Sequence, residues 1–309
     1  MNFRDLEYII AVSTHLNFSK AAAACNVSQP SLSAQIKKLE AELGNEIFLR
    51  NTRKIQLSPF GESTLELARQ ILSRRDSLKQ LSDVDGEPSK DPLRLGGIFT
   101  IAPYLFPSII NALKEDAPAT ELSLTEAKTE DLLTALLNGE LDAAVLTLPT
   151  DRFVFHSKVL LTEPFYVAVS KDHPLAGRGA VDDNDLNGLE LLLLEEGHCF
   201  RDQAFDVCRE TGAHENQSFK ASSLETIREC VSTSDDATLM PSIARKQNDG
   251  ICYLPINNDK YARDIGIIWR RADVKPQIEQ LVPIIAKACQ QFMQQQGSLG
   301  TDDADRLAG

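Results

Sequence analysis

The 309-residue chain has no run of eighteen or more apolar residues, so no segment is long enough to cross a bilayer as a helix. It shows no export signal: the opening MNFRDLEYII carries acids where a leader would carry bases ahead of an apolar stretch, and the expected compartment is the cytoplasm. It also lacks a cysteine framework. Six cysteines, at 25, 199, 208, 230, 252 and 289, are scattered through a chain expected in a reducing compartment, where any disulfide is transient. Positive charge is missing from the total, which is −13 and at first sight argues against a nucleic-acid partner. That total conceals a division: residues 1–79 carry 11 Lys+Arg against 8 Asp+Glu, a balance of +3, which leaves −16 on the remainder. A basic head on an acidic body suits a small nucleic-acid module attached to something larger, and the length allows two or three domains.

Three helical patterns follow one another in the head. Phe3, Leu6, Ile9, Ile10 and Val12 recur at helical spacing, then Phe18, Ala21, Ala22 and Cys25, then Leu32, Ile36, Leu39 and Leu43. Asn17 and Ser19 are suited to cap the second helix, Ser28 followed by Pro30 starts the third, and Gly44 ends it. Only Asn26, Val27 and Ser28 separate the second helix from the third, which is helix-turn-helix spacing. Gln29, Ser31, Ser33, Gln35 and Lys37 make the N-terminal half of the third helix polar, the half that meets base edges in a major groove. Next, EIFLRNTRKIQLSP alternates Ile47 and Leu49 ahead of a turn with Arg50, Asn51, Arg53 and Lys54, then Ile55 and Leu57, a small hairpin with a basic tip. A plain three-helix bundle with solvated serines and glutamines has the same periodicity.

The string FSKAAAACNVSQPSLSAQIKKLEAELGNEIFLRNTRKIQLSPFG distinguishes the two, because it closely resembles the signature of the LysR-type transcriptional regulators. The paired alanines, SQPSLSAQI, LEAELG and the closing Gly61 all match. The resemblance implies a winged helix-turn-helix over residues 1–58, binding double-stranded DNA through Gln29, Pro30, Ser31 and Ser33, with Arg50 and Arg53 on the wing. Cys25 departs from the pattern, where the family usually has leucine, and a small buried hydrophobe accounts for it. Residues 59–90 comprise a long amphipathic helix, with Leu65, Leu67, Ile71, Leu72, Leu78 and Leu81 as its stripe, and then a hinge, SDVDGEPSKDP. Two-fold DNA sites call for two-fold proteins, so the stripe is expected to pair two copies in a homodimer or homotetramer.

From residue 92 strand-like and helix-like runs alternate, which predicts an α/β fold with largely parallel sheets. The resemblance makes residues 91–296 a regulatory domain like the periplasmic binding proteins, with two Rossmann-like subdomains around a cleft. Residues 297–309 form a polar tail expected to be disordered.

GHCFRDQAFDVCRETG predicts a helix from about Phe200 to Thr211, with Phe200, Ala204, Val207 and Cys208 on its apolar face and Gly212 as its stop. Cys199 falls just ahead of the first turn, where the helix dipole, His198 and Arg201 favour negative charge on sulfur. Cys208 is expected to be buried and inert. Nine residues of helix hold the two α-carbons roughly 13 Å apart and half a turn out of phase. A disulfide needs them within about 7 Å, so the pair joins only if the helix unwinds. Two other readings stay open from the residues alone. In one, Cys199 is an ordinary near-surface cysteine and Cys208 an ordinary core one; in the other, His198, Cys199, Cys208 and His214 hold zinc, although their spacing fits no compact zinc pattern.

The same segment, together with RDLEYIIAVSTH, FTIAPYLFP and SSLETIR, is similar to the hydrogen-peroxide-sensing branch of the LysR-type family, over nearly the whole chain. That resemblance implies that peroxide oxidises Cys199 to a sulfenic acid and that Cys208 resolves it to a disulfide. It places Thr100, Thr129, His198 and Arg201 around the peroxide, leaves Cys230, Cys252 and Cys289 as core residues, and needs no metal or cofactor. RNA polymerase is the expected downstream partner, and antioxidant genes the expected targets. The protein is not expected to be an enzyme: once the DNA module is assigned, no catalytic domain remains for a thiol peroxidase. The alternative is a LysR-type regulator that answers to a small organic effector in the cleft.

Overall fold

The structure, a computed structural model, describes residues 1–49, 55–82, 92–150, 154–271 and 276–298. The chain divides into two compact units, the first made essentially of residues 1–87 and the second of nearly all the rest.

In the first unit each helix starts where a short polar side chain accepts from amides that would otherwise be unpaired. Asn2 and Asp5 form a reciprocal capping box at the start of α1 (Phe3–His15). Asn17 accepts from the amides of Ser19 and Lys20 at the start of α2 (Phe18–Ala24). Ser28 caps α3 (Gln29–Leu43), which stops at Gly44 in the left-handed region, φ +74°. The tight turn before α3 contains Asn26 at φ +53°, a conformation that asparagine tolerates better than most residues. Leu6, Ile9, Val12, Ala21, Ala22, Leu32, Ile36 and Leu39 meet in one core. Cys25 packs at the margin of that core, half-buried.

The hairpin of β1 (Phe48–Leu49) and β2 (Gln56–Leu57) departs from the alternation expected for it. Ile47 and Phe48 are buried in succession while Leu49 is exposed. The Glu40 carboxylate accepts from both the Ile47 and Phe48 amides, at 2.9 and 3.1 Å, and fixes the chain there before the pleat begins. The closing glycine of the sequence signature also has a physical reason. A Cβ on Gly61 would run into the Ile47 carbonyl at the start of α4 (Pro59–Ser82). Along α4 the apolar positions serve two purposes: Leu65, Ala68 and Leu72 complete the core of this unit, whereas Leu67, Ile71 and Leu78 stay exposed.

The second unit is a mixed sheet with helices packed on it. Its elements are β3 (Leu93–Ile98), α5 (Ala102–Asp116), β4 (Leu122–Ala127), α6 (Thr129–Leu137), β5 (Ala143–Leu148), β6 (Phe155–Ser170), α7 (Asp183–Leu186), β7 (Glu190–Leu191), α8 (Cys199–Thr211), β8 (His214–Glu215), α9 (Leu224–Ser232), β9 (Ala237–Pro241), β10 (Ile251–Pro255), β11 (Ala262–Arg270) and α10 (Pro276–Ser298). The sheet runs β4-β3-β5-β11-β6-β9-β7-β8, with β10 also paired to β6. Parallel pairing is confined to its two ends, β3 with β4 and β5, and β7 with β8 and β9. Through the middle, β6 and β11 run antiparallel to their neighbours and to each other, so the expectation of a largely parallel sheet is corrected. The first half of β6 lies along β11 and the second half along β9 and β10, so this strand belongs to both halves of the sheet. Exposed His156, Ser157 and Lys158 break the alternation of that first half, which hid it as a strand in the sequence.

Candidate functional site

On the exposed side of α3, Gln29, Pro30 and Ser31 face solvent and Ser33 is half-buried. Lys37 and Lys38 are exposed further along the same helix. Gln35, grouped with these in the sequence reading, turns inward instead, and its Nε2 donates to the buried Asp5 carboxylate at 2.7 Å. Arg50 and Arg53 lie outside the described residues.

The second unit holds a small cavity where three distant stretches of chain converge. Ile98 ends β3, with Phe99 and Thr100 just after it; Ala127, Lys128 and Thr129 span the junction of β4 and α6; Gly197, His198 and Cys199 lead into α8. Four residues singled out from the sequence, Thr100, Thr129, His198 and Cys199, therefore line one space. It has room for about one water-sized molecule. Two of its polar atoms, Thr129 Oγ1 and His198 Nε2, are buried without a protein partner. Buried polar groups almost always find a partner, so a pair of such atoms beside a cavity calls for a polar guest.

Each wall has its own anchor. The Arg263 guanidinium donates to the Thr100 hydroxyl at 3.0 Å and to its carbonyl at 3.1 Å, which leaves the hydroxyl proton free to point at a guest. Arg263 is itself wholly buried, paired with Glu163 at 2.7 Å, and lies 5.0 Å above the Phe200 ring. The second carboxylate oxygen of Glu163 accepts from the Ile243 amide at 2.9 Å, so the ion pair is satisfied on both sides. His198 packs against Phe99, ring centres 5.6 Å apart, and is only 5% exposed. Burial lowers its pKa below the usual imidazole range and nearby Lys128 lowers it further, with Glu195 opposing, so the ring is neutral at pH 7. Cys199 is the first residue of α8, half-buried, with Sγ 3.5 Å from Thr147 Oγ1.

Arg201 is not among the cavity residues. Two positions beyond Cys199 on a helix, it points to another face, where both Glu215 oxygens accept from its Nη2 at 3.0 Å and its guanidinium covers Phe205. Cys208 is 3% exposed in the apolar core, and burial, reinforced by Glu215, pushes its thiol up to about 11. Both cysteines belong to the unbroken α8, as free thiols. Cys289 is fully buried, but Cys230 and Cys252 sit half-buried at the edge of the core rather than within it. Among the described residues no three His, Cys, Asp or Glu side chains are grouped as metal ligands.

Sequence reasoning missed Lys128, Thr147, Glu163 and Arg263. The first adjoins Thr129 in AKTEDLL and could have been read with it. The others come from β5, β6 and β11, far from any motif.

Comparison with known proteins finds relatives over nearly the whole chain. Residues 3–62 match the bacterial regulatory helix-turn-helix of the lysR family, and residues 86–290 match the LysR substrate binding domain. A "Hydrogen peroxide-inducible genes activator" of Pectobacterium carotovorum subsp. carotovorum is 40% identical over 298 residues, 95% of this chain and 99% of the relative. Among solved structures, a full-length OxyR C199D protein of Pseudomonas aeruginosa superposes with a TM-score of 0.78 at 34% identity, covering 94% of each chain. A Corynebacterium glutamicum OxyR mutant described as H2O2-bound gives 0.64 at 31% identity and 97% coverage of each chain.

Proposed function

The chain belongs to the LysR-type DNA-binding transcriptional regulators and sits with their peroxide-sensing activators, and from that premise we propose that Cys199 is the peroxide sensor and Cys208 its resolving partner. The observation that carries the assignment is the cavity at Cys199: lined by Thr100, Thr129 and His198, with two unpartnered polar atoms and space for about one small polar molecule. Hydrogen peroxide, a small molecule that both donates and accepts hydrogen bonds, offers what those two atoms need. The sulfur of Cys199, as thiolate, attacks one peroxide oxygen, the O–O bond breaks, and the departing hydroxide takes up a proton to leave as water. The product is a sulfenic acid. Thr100 and Thr129 hydroxyls and the neutral His198 orient the peroxide and support the leaving oxygen. Cys208, as thiolate, then attacks the Cys199 sulfur, the S–O bond breaks, and the departing hydroxide takes up a proton to leave as a second water.

That second step requires α8 to come apart, because the intact helix holds the sulfurs' backbones roughly 13 Å apart. Unwinding exposes apolar residues of the segment and forces the surrounding core to repack, which supplies the second state that a switch needs. The change reaches DNA through Gln29, Pro30, Ser31 and Ser33 of α3, with Arg50 and Arg53 of the wing on the sugar-phosphate backbone. The exposed Leu67, Ile71 and Leu78 of α4 pair copies of the chain into a homodimer or homotetramer. The regulator works in the cytoplasm, recruits RNA polymerase and controls antioxidant genes. The domain scheme is a DNA-binding head over 1–58, a dimerisation helix and hinge over 59–90, and a sensing body over 91–296. A small organic effector in the regulatory-domain cleft is the competing trigger; the cavity at Cys199 is too small to hold one.

The test is mass spectrometry of the full-length protein after stoichiometric peroxide, alongside operator binding. A Cys199–Cys208 disulfide is expected, with Cys208→Ser arresting at a trapped sulfenic or more oxidised Cys199. Oxidation of Cys199 no faster than that of a free cysteine in a model peptide overturns the assignment.

A further inference from the structure

The side chain of Lys128 is tied across the cavity rather than within its own segment. It comes from the β4–α6 connection, yet its Nζ donates to the Glu196 carbonyl at 3.0 Å and lies 3.5 Å from the Glu195 carboxylate, both in the segment that leads into α8. The Gly197 backbone is at φ +91°, where a side chain would be strained, and a Cβ there would press within 3.1 Å of the Lys128 side chain. The three residues before His198 are thus gathered around one ammonium group, with His198 and Cys199 next in the chain. From the α8 side the segment is held by backbone, the Arg201 amide donating to the His198 carbonyl at 2.9 Å, while His198, at the N-cap, makes no side-chain capping bond to the first turn. The start of the redox helix is secured from across the cavity.

We propose that Lys128 is a positioning residue of the switch, a tether that holds residues 195–197, and through them Cys199, in the peroxide-receiving arrangement and that has to release before Cys199 can travel to Cys208. The proposal rests on the assignment of Cys199 and Cys208 given above. It concerns the second step, in which the Cys208 thiolate displaces hydroxide, protonated to water, from the Cys199 sulfenic acid, and it makes the tether part of the barrier to that step. A hydrogen bond from a charged donor to a carbonyl is stronger than a neutral one, and the partly exposed ion pair with Glu195 adds a smaller, screened share.

Three variants of the full chain separate the contributions. Lys128→Gln shortens the interval between sulfenic acid and disulfide by roughly fivefold or more, the factor that one lost charge-assisted hydrogen bond allows. Glu195→Gln, which leaves the carbonyl bond in place, shortens it less. Lys128→Arg, which restores a cationic donor, returns the interval towards the native value, a rescue that a general loss of packing does not show. The sulfenic acid is followed by a trapping reagent at timed quench, and the disulfide by mass spectrometry. Thermal melting of each reduced variant identifies any that has lost its fold, and Lys128→Met serves as a second removal of the tether. An unchanged interval in both Lys128→Gln and Lys128→Met overturns the tether while leaving the sensor assignment intact. Failure of native Cys199 to form a sulfenic acid or a disulfide overturns both.

Discussion

The two ends of α8 place the same functional group in opposite surroundings. At its start, Cys199 is half-buried beside a small cavity, a neutral histidine and three threonines. At its far end, Cys208 lies among Phe200, Ala204, Val207 and the rest of the apolar core, its thiol pushed up to about 11. The helix thus keeps a thiol open to small polar molecules and a thiol shielded from them on one rigid rod. What differs is the packing around each sulfur, and reactivity follows packing because the thiolate is the nucleophile and burial disfavours it.

The largest expected effect is on the contrast itself. Under native conditions iodoacetamide is predicted to alkylate Cys199 at least about a hundredfold faster than Cys208 or the fully buried Cys289, whose modification waits on opening of the core. In denaturant the three rates converge. Peptide mapping by mass spectrometry measures this directly, and equal native rates at Cys199 and Cys208 would break the comparison.

Much of this contrast was legible in the sequence, because it depends on helix phase. Cys208 shares the apolar face with Phe200, Ala204 and Val207, and a 3.6-residue period reveals that without a structure. The stop at Gly212, φ +80°, was equally plain. Arg201 shows the limit of sequence proximity, since it neighbours Cys199 in the chain but pairs with Glu215 on another face of the helix. Arg263, Glu163 and Thr147 were invisible for a different reason. They lie on separate strands of the sheet, and a buried ion pair formed across β6 and β11 has no local period to announce it. The antiparallel centre of the sheet escaped the reading in the same way, since alternation of strands and helices does not say which strands cross between halves. In the head, the sequence signature placed the caps and turns of the helices, but not the inward turn of Gln35 towards Asp5.

A smaller effect comes from pH. The Cys208 thiol titrates ordinarily near 9.0 but is held up to about 11 in the fold, and burial raises Cys289 further, to about 12. Below pH 9 both thiols are protonated whether the chain is folded or not, and they make no contribution to the pH dependence. Above it the unfolded chain ionises first, the folded chain binds more protons, and stability falls as pH rises through about 11. Thermal melting of the reduced protein between pH 8 and 11 is expected to show a decline that Cys208→Ala and Cys289→Ala each reduce. A decline that neither substitution alters shows that these thiols are not what separates the buried end from the open one. His198 has the opposite sign. Its depressed pKa means that the unfolded chain takes up the proton first as pH falls below about 6.5, so this residue lowers stability on the acid side.

The smallest effect is expected at Asp206, which lies between the two sulfurs but nearer Cys208. A negative charge two residues before Cys208 suggests from sequence alone that it sets the sensitivity of the switch. The structure places its carboxylate in solvent, 71% exposed and 3.7 Å from an equally exposed Arg209. A pair so placed is screened and contributes little. Asp206→Asn is therefore predicted to change the rate of Cys199 oxidation by less than about twofold. Asp206→Gly removes the same charge but also loosens the helix, by roughly 0.3 kcal/mol relative to Asp. Its effect belongs to disulfide closure, which needs α8 to unwind, rather than to the first oxidation. Measuring both steps in both variants separates charge from helix stability. A rise in the oxidation rate common to Asn and Gly would mean that charge in the middle of α8 reaches the open end after all, and that its two ends are less independent than their packing implies.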